Sequence, residues 1–150
     1  MLPYNIYDVG VLHSSWEVRE SPDLVSYSTR ENYVFRGLAE LADLVATIER
    51  GHNHRWKISM IETGIIIPFH ILTEHVFEFE YRKTKYVWKR EEQRNWNLTD
   101  PKEVLVAQFD KCMFALTKIG KLYFTGQGDW LEHEIIVATI RAVEMYIQDS

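Results

Sequence analysis

Residues 76–90, VFEFEYRKTKYVWKR, are the stretch of sequence that decides the fold class. Aromatic and charged residues alternate from Phe77 to Tyr81, which places the aromatic rings on one face of a strand and the charges on the other. After Lys83-Thr84, a second run from Lys85 to Arg90 suits a strand that returns beside the first. The stretch therefore predicts an antiparallel β-hairpin with one buried face.

The residues that precede this hairpin extend the β pattern toward the N-terminus. Residues 56–61 alternate between apolar and polar, and residues 11–18 do so more loosely. Ile65, Ile66 and Ile67 form an unbroken β-branched run, which is typical of a strand covered on both faces at the centre of a sheet. Together these segments predict an antiparallel sheet of four to six strands.

Two other segments show helical signatures. Ser28-Thr29-Arg30-Glu31 matches the capping box that begins a helix, and Gly51 is placed to end it. The apolar stripe of this first helix is Val34, Leu38, Leu41, Val45 and Ile48. Asp100 and Pro101 fit the first positions of a second helix. The apolar stripe of the second helix is Leu105, Phe109, Cys112, Leu116 and Ile119.

A third helix is predicted from Asp129, which suits an N-cap, through Ile147. It carries two apolar stripes, formed by Ile136, Ile140, Val143 and Ile147 and by Leu131, Ile135, Ala138 and Ala142. Apolar residues thus cover more of this helix than the usual stripe about 100° wide. We expect it either to lie at the centre of the protein or to join copies of the chain through residues 130–147.

Composition indicates one folded unit. The chain has 150 residues, of which 46% are hydrophobic, and its few glycines and prolines are scattered, so no linker divides it. The predicted fold class is α+β, a single domain over residues 1–150 in which about three helices pack on the antiparallel sheet.

Cys112 is the single cysteine, so no disulfide can form within the chain and a reducing compartment is expected. The N-terminal residues lack the basic region and the apolar run of a secretory signal. The longest uncharged stretch, residues 63–73, is much shorter than the roughly 20 residues that a spanning helix needs. We therefore predict a cytoplasmic protein that does not bind membranes.

Motifs of catalysis are sparse. The phosphate-binding, dinucleotide-binding, zincin and nucleophile-elbow signatures are missing from the sequence. His13-Ser14-Ser15 resembles one of the two His-x-Ser/Thr motifs of the 2H phosphoesterases, but the Thr of His70-Ile71-Leu72-Thr73 comes one residue late for the second. The enzyme alternative would act on a phosphodiester or nucleotide, with His13, His70 or His75 as acid or base and Arg82 or Lys85 holding phosphate.

His52-Asn53-His54 carries two imidazoles two residues apart, which could chelate a metal ion if a third ligand joined them. We interpret this segment instead as a polar loop at the exit of the first helix, because no second pair of ligands stands at matching spacing. Cys112 lies on an apolar stripe and is interpreted as a small core residue rather than a nucleophile. We predict no catalytic residue, no metal and no cofactor.

The most informative local feature is charge. Between Tyr81 and Trp96 the sequence has six Lys or Arg residues and two Glu, whereas the whole chain carries a net charge of −5. Cations and aromatic rings on one hairpin suit an acidic protein surface, or nucleic acid through phosphate contacts and base stacking. They also suit an edge hairpin that resists aggregation. The predicted partner-binding residues are Arg82, Lys83, Lys85, Tyr86, Trp88, Lys89 and Arg90.

The function predicted from these observations is non-enzymatic binding of another macromolecule, as an inhibitor, immunity-type factor or accessory subunit. The expected contact surface is the hairpin at about residues 77–96, and a protein is the expected partner. The alternatives are the nucleotide or phosphodiester enzyme described above and a nucleic-acid-binding module that uses the hairpin alone.

Overall fold

Twelve antiparallel strands and one helix form the part of the chain that the computed structural model describes, residues 3–9, 15–38, 43–92, 95–112 and 117–149. The strands are β1 Tyr4–Asp8, β2 Ser15–Ser21, β3 Leu24–Arg30, β4 Tyr33–Arg36, β5 Asp43–Glu49, β6 Arg55–Met60, β7 Ile66–Thr73, β8 Val76–Tyr81, β9 Thr84–Arg90, β10 Asn95–Thr99, β11 Leu105–Lys111 and β12 Lys118–Phe124. The helix, α1, is His133–Asp149.

The strands close into an up-and-down barrel. Each strand pairs with its neighbours along the chain, and β1 pairs with both β2 and β12. Ile6 of β1 lies opposite Val18 on one side and Gly120 on the other. The predicted α+β class is therefore wrong, because the sheet has twelve strands and no free edge rather than four to six strands under three helices.

The interior of this barrel is too wide for wall side chains alone to fill. Eight strands leave room only for side chains, whereas twelve strands about 4.8 Å apart and tilted by about 40° enclose a ring roughly 24 Å across. A helix with its side chains is about 10–12 Å wide and fits the remaining space. Residues Ile135–Met145 of α1 are all buried, so every face of three successive turns is covered.

Contacts in several directions show that α1 runs through the barrel. The Trp88 indole of β9 donates a hydrogen bond to Thr139 at 2.9 Å. Lys111 of β11 donates to Glu144 at 3.0 Å. Arg141 donates to the Glu31 carbonyl in the β3–β4 turn. The expectation that the last helix is central is confirmed, although it begins four residues later than predicted, and the barrel wall covers both of its apolar stripes.

The first predicted helix is instead β3, β4 and β5. Ser28 and Thr29 do not cap a helix: the Ser28 hydroxyl donates to the Gly37 carbonyl at 2.6 Å, and Thr29 Oγ1 accepts from the Trp16 amide at 3.2 Å. The register between β4 and β5 skips Val45, so β5 contains a bulge. An extra residue interrupts the two-residue alternation of a strand. In this segment, apolar residues therefore also occur three residues apart, a spacing that helices share.

The second predicted helix is a turn followed by β11 and β12. The register between β10 and β11 skips Val106, and both Val106 and Ala107 are buried. Asp100 does accept backbone N–H groups as an N-cap would, but the donors are Lys102 and Val104 in the β10–β11 turn. Aspartate stabilises such turns with the same chemistry that caps helices.

The hairpin over residues 76–90 is present as β8 and β9. Its turn is Arg82-Lys83 rather than Lys83-Thr84, and both residues have positive φ, 51° and 65°, as a type I′ turn requires. The strand predicted around Ile65–Ile67 is β7, but it is not covered on both faces, because Ile66 is 58% exposed while Ile67 is buried.

The two open ends of the barrel differ in which turns surround them. We call the end where α1 begins the N-terminal mouth; the turns at residues 22–23, 61–65, 82–83 and 100–104 lie there. We call the opposite end the C-terminal mouth; the turns at residues 31–32, 50–54 and 74–75 lie there.

Candidate binding site at the N-terminal mouth

A cleft of about 540 Å³ opens at the N-terminal mouth, between the start of α1 and the surrounding strands. Clefts of about 300–1,000 Å³ are the usual size for a bound ligand or an anchoring side chain. Its lining combines aromatic rings, carboxylates and aliphatic side chains. The lining residues are Tyr27, Arg36, Val45, Met60, Glu62, Thr63, Tyr81, Trp130, Glu132, His133, Glu134 and Ile135.

Glu132 is the central carboxylate of the cleft. Its Oε1 accepts a hydrogen bond from the Tyr81 hydroxyl at 2.8 Å, and Arg82 Nη2 lies 3.8 Å from the same oxygen. Its Oε2 is buried and accepts no hydrogen bond from any described residue. A buried carboxylate oxygen without a donor is unfavourable by about 1–3 kcal/mol, so this oxygen favours a ligand that brings a donor.

Glu134, in the first turn of α1, is already paired. Arg36 Nε donates to Glu134 Oε1 at 3.0 Å, and Arg36 Nη2 lies 3.4 Å from Glu62 Oε2. The hydrogen bond to Glu134 raises the pKa of Arg36. The Arg36 guanidinium therefore offsets negative charge at Glu134 and Glu62, and none of its hydrogen bonds or ion pairs among the described residues is with Glu132.

Two tyrosines of the cleft remain protonated at neutral pH. Burial and the hydrogen bond to Glu132 raise the pKa of Tyr81 to about 12. Burial and the charge of Glu134 raise the pKa of Tyr27 to about 12. Both hydroxyls can therefore donate hydrogen bonds, and both rings offer neutral aromatic surface to the cleft. Neither side chain is suited to act as a general base.

Exposed apolar side chains are concentrated at the same end of the barrel. Trp130 lines the cleft and is 72% exposed. Of the eight large hydrophobic residues exposed in the described part of the chain, five lie at the N-terminal mouth: Leu24, Leu38, Ile61, Ile66 and Trp130. Clustered exposed apolar surface marks interaction sites, whereas isolated apolar residues are ordinary.

His133 closes the cleft on the β12 side. Its ring stacks on Phe124 with centroids 3.8 Å apart, and burial lowers its pKa. The imidazole is therefore neutral at pH 7 and contributes a flat aromatic surface rather than a charge.

The residues predicted to bind a partner are divided by the pleat of the hairpin. Tyr86 and Trp88 lie opposite Phe79 and Phe77 and are buried inside the barrel. Successive residues of a strand point to opposite faces, so these two rings cannot share a contact surface with the neighbouring cations. Lys85 and Lys89 lie on the outer face of β9, whereas Arg90 ends the strand on the same face as the two rings.

The five cations of the hairpin are spread along the barrel. Arg82 and Lys83 form the turn at the N-terminal mouth, with Lys85 just beyond them on the outer wall, 3.8 Å from Glu78. Lys89 and Arg90 lie near the C-terminal mouth, about 20 Å away at roughly 3.3 Å per residue. Both strands have neighbours, so the residues do not protect a sheet edge.

The histidines of the enzyme alternative do not meet in the described structure. His70 lies opposite Glu78 on the outer face of β7, and His75 is in the β7–β8 turn, 3.3 Å from Glu74. That turn is at the C-terminal mouth, whereas Arg82 is at the N-terminal mouth. His13 lies outside the described residues.

The remaining candidates from the sequence are the histidines considered for metal binding, His52 and His54, and the single cysteine. His54 stacks on Tyr146 of α1 with centroids 5.7 Å apart, and His52 lies in the same β5–β6 turn. No group of three or more His, Cys, Asp or Glu side chains suited to a metal occurs among the described residues. Cys112 follows β11 and is half-buried.

The C-terminal mouth has clefts of its own, and three carboxylates and two guanidiniums of the described residues line one of them. A cleft of about 620 Å³ lies beside Arg50 and Asp149, whose side chains form an ion pair at 2.7 Å. Arg141 also borders it, with its guanidinium 4.8 Å above the Trp16 ring and bonded to the Glu31 carbonyl. These polar groups satisfy one another, in contrast to Glu132.

Sequence reasoning missed the carboxylates and the tryptophan of the N-terminal mouth. No pattern in the sequence singled out Glu132 or Glu134, and Trp130 falls within the helix predicted from Asp129 through Ile147. The available signal was that Trp130 follows the turn Gly126-Gln127-Gly128 and is followed by Glu132 and Glu134. A tryptophan beside two acidic residues at a helix start is a recognisable candidate for a binding site.

Comparisons of the chain with protein-family models, with curated proteins and with solved structures gave no match. Among the described residues, no helix is long and apolar enough to cross a membrane.

Proposed function

We propose that this protein is a non-enzymatic binding protein that engages another protein through the N-terminal mouth of the barrel. The observation that carries the proposal is that five of the eight exposed large hydrophobic residues of the described chain lie at the end of the barrel where the cleft opens, and that one of them, Trp130, lines the cleft. Such residues cost free energy in water, about 25 cal/mol per Å² of apolar surface, and a partner that covers them recovers it.

The barrel interior supports binding at a mouth rather than inside the lumen. Side chains of α1 occupy the centre over Ile135–Met145, so a ligand there would have to displace the helix. The mouth, by contrast, is bordered by turns and by the chain segment before α1, and loops on a rigid scaffold are common binding surfaces.

The basic turn of the hairpin belongs to the same proposed surface. Arg82 is tied to the cleft through Glu132, and Lys83 is exposed beside it. We propose that this turn contacts acidic groups of the partner next to the cleft. Lys89 and Arg90 are too distant to take part, so the contact residues of the hairpin reduce to Arg82, Lys83 and Lys85.

A contact between copies of this chain through residues 130–147 is not part of the proposal, because the wall buries most of that helix. The proposed compartment is the cytoplasm, for which the single Cys112 is the support. Inhibitor, immunity-type factor and accessory subunit are the roles that such a binding surface would serve.

Photo-crosslinking at defined positions tests the proposal. A photoreactive benzoylphenylalanine replaces Trp130 in one variant and Leu72 in a matched control, since Leu72 is 54% exposed near the C-terminal mouth. In cells of the native host, we expect one protein adduct of defined mass from position 130, competed away by excess wild-type protein. Equal adducts from position 72, or none from position 130, would contradict the proposal.

A further inference from the structure

The cleft at the N-terminal mouth has an electrostatic character that specifies its occupant, provided that the proposed function is correct. We propose that the occupant is a cationic side chain, a lysine or arginine of an apolar peptide segment of the partner, inserted beside Trp130 and bound to Glu132. Three features of the cleft support this occupant: an unpartnered oxygen of Glu132, the net charge of the lining and the aromatic rings of the wall.

The vacant acceptor is Glu132 Oε2. The Tyr81 hydroxyl and Arg82 both approach Oε1, while Oε2 is buried without a hydrogen-bond partner among the described residues. Ammonium and guanidinium groups carry only donors and form the shortest and strongest hydrogen bonds with carboxylates. The Glu132 side chain is 28% exposed, so a cationic side chain in the cleft could reach this carboxylate, and a turn of the carboxylate would bring the unpartnered oxygen to the new donor.

The balance of charge favours the same occupant. Among the described residues, three carboxylates and one guanidinium line the cleft. The guanidinium, Arg36, is paired with Glu134 and lies near Glu62, and Arg82 is 3.8 Å from Glu132 at the rim. The cleft is therefore net negative, which attracts a cation and repels a phosphate or another anionic group.

The rings explain why the cation should belong to an apolar segment. Trp130 is 72% exposed, and Tyr27 and Tyr81 form part of the wall. Cations bind over the faces of aromatic rings, and the aliphatic stems of Lys and Arg pack on apolar surface. Ile61 and Ile66 extend the apolar surface beyond the cleft, where hydrophobic neighbours of the inserted residue can pack.

Two matched peptides test this inference. Acetyl-Leu-Arg-Leu-amide and its twin with citrulline in place of arginine differ in charge and hardly in shape. In ¹H–¹⁵N NMR titrations, we expect the arginine peptide to shift the Trp130 indole and the amides of residues 130–134 at a concentration at least tenfold lower than the citrulline peptide. The Trp130 indole is assigned from the W130F spectrum, and added salt should weaken the preference.

Variants locate the effect. Glu132→Gln keeps an acceptor for Tyr81 but removes the charge, and it should abolish the preference for arginine. Glu49→Gln, which removes an exposed carboxylate at the C-terminal mouth, should retain it. If Glu132→Gln does not fold, Trp130→Ala takes its place, because that side chain is exposed, and weaker arginine binding is expected.

Several outcomes would overturn the inference. Equal binding of the two peptides would do so, as would an unchanged preference in Glu132→Gln or shifts that map to the C-terminal mouth. Tighter binding of a phosphoserine peptide, or of vesicles containing anionic lipid, would also reject it. Crosslinks at position 130 together with equal peptide binding would reject the cationic occupant but leave the proposed function standing.

Discussion

The indole Nε1 of Trp88 donates a hydrogen bond of 2.9 Å to Oγ1 of Thr139, which joins the barrel wall to the helix that fills the barrel. Both side chains are completely buried. A buried polar group that loses its partner is not rescued by water. This bond therefore fixes the rotation and the depth of α1 in the barrel as well as contributing to stability.

Removal of either partner of this bond should destabilise the protein. We expect Thr139→Val to lower the free energy of unfolding by about 1–3 kcal/mol, because the Trp88 N–H is left buried and unpaired. Trp88→Phe should lower it further, since it also leaves a cavity. Urea denaturation of both single variants and of the double variant gives the coupling energy, and strict additivity would show that the bond contributes nothing.

Lys111 and Glu144 form the second polar link between the wall and α1. Glu144 is buried, and its Oε2 accepts from Lys111 Nζ at 3.0 Å. Lys111→Met should lower the free energy of unfolding by about 3 kcal/mol at pH 7, because it leaves a buried carboxylate without this cation. Lys118→Met, which removes a cation from β12, is the comparison. Equal losses in the two variants would contradict a specific role for Lys111.

Asp100 makes stability depend on pH. Burial opposes ionisation, but hydrogen bonds from the amides of Val104, Asp129 and Lys102 outweigh it, and the pKa of Asp100 is lowered. A lowered pKa in the folded state stabilises the protein above the unfolded pKa of about 3.9, and the stabilisation is lost as the pH falls below that value. Asp100→Asn should cost about 2 kcal/mol at pH 7.

The difference between wild type and Asp100→Asn should stay constant from pH 6 to 8 and shrink as the pH approaches the folded pKa. Thermal or urea denaturation over pH 3–8 measures it. A difference that grows toward acid pH would have the wrong sign for a carboxyl with a lowered pKa.

The proposed contact of the hairpin turn makes a separate prediction. Lys83 lies in the turn at the N-terminal mouth, whereas Lys89 lies on the outer wall near the other mouth. Lys83→Glu should reduce the crosslink from position 130 several-fold, because reversal of an interface charge mainly slows association. Lys89→Glu should leave the yield unchanged, and both variants should melt within a few degrees of wild type. Equal yields from the two variants would remove the turn from the interface.

Local sequence patterns predicted those elements whose period is uninterrupted. The hairpin over residues 76–90 has clean alternation, and α1 has apolar residues on more than one face, so both were found. The two segments wrongly predicted as helices each run from one strand through a turn into the next, and each contains a bulge, at Val45 or at Val106. A bulge shifts the alternation by one residue, and no local rule distinguishes that shift from helical spacing.

The candidate site was harder to predict than the fold. Cations and rings near Tyr86 were grouped because they are close in sequence, but the pleat separates them, and two-residue alternation could have shown this. Glu132 and Tyr81 are 51 residues apart in the chain, and nothing local associates them. Their meeting depends on the depth at which α1 sits in the barrel.

The sequence by itself determined that the last helix is apolar on more than one face and must be surrounded, and that the middle of the chain forms antiparallel strands. Only the tertiary structure decided that twelve strands close on one another, through the pairing of β1 with β12 across more than a hundred residues. Closure depends on strand number, tilt and register acting together. The helix fills the barrel because a ring of that width cannot be packed by its own side chains, and its first turn then forms the cleft.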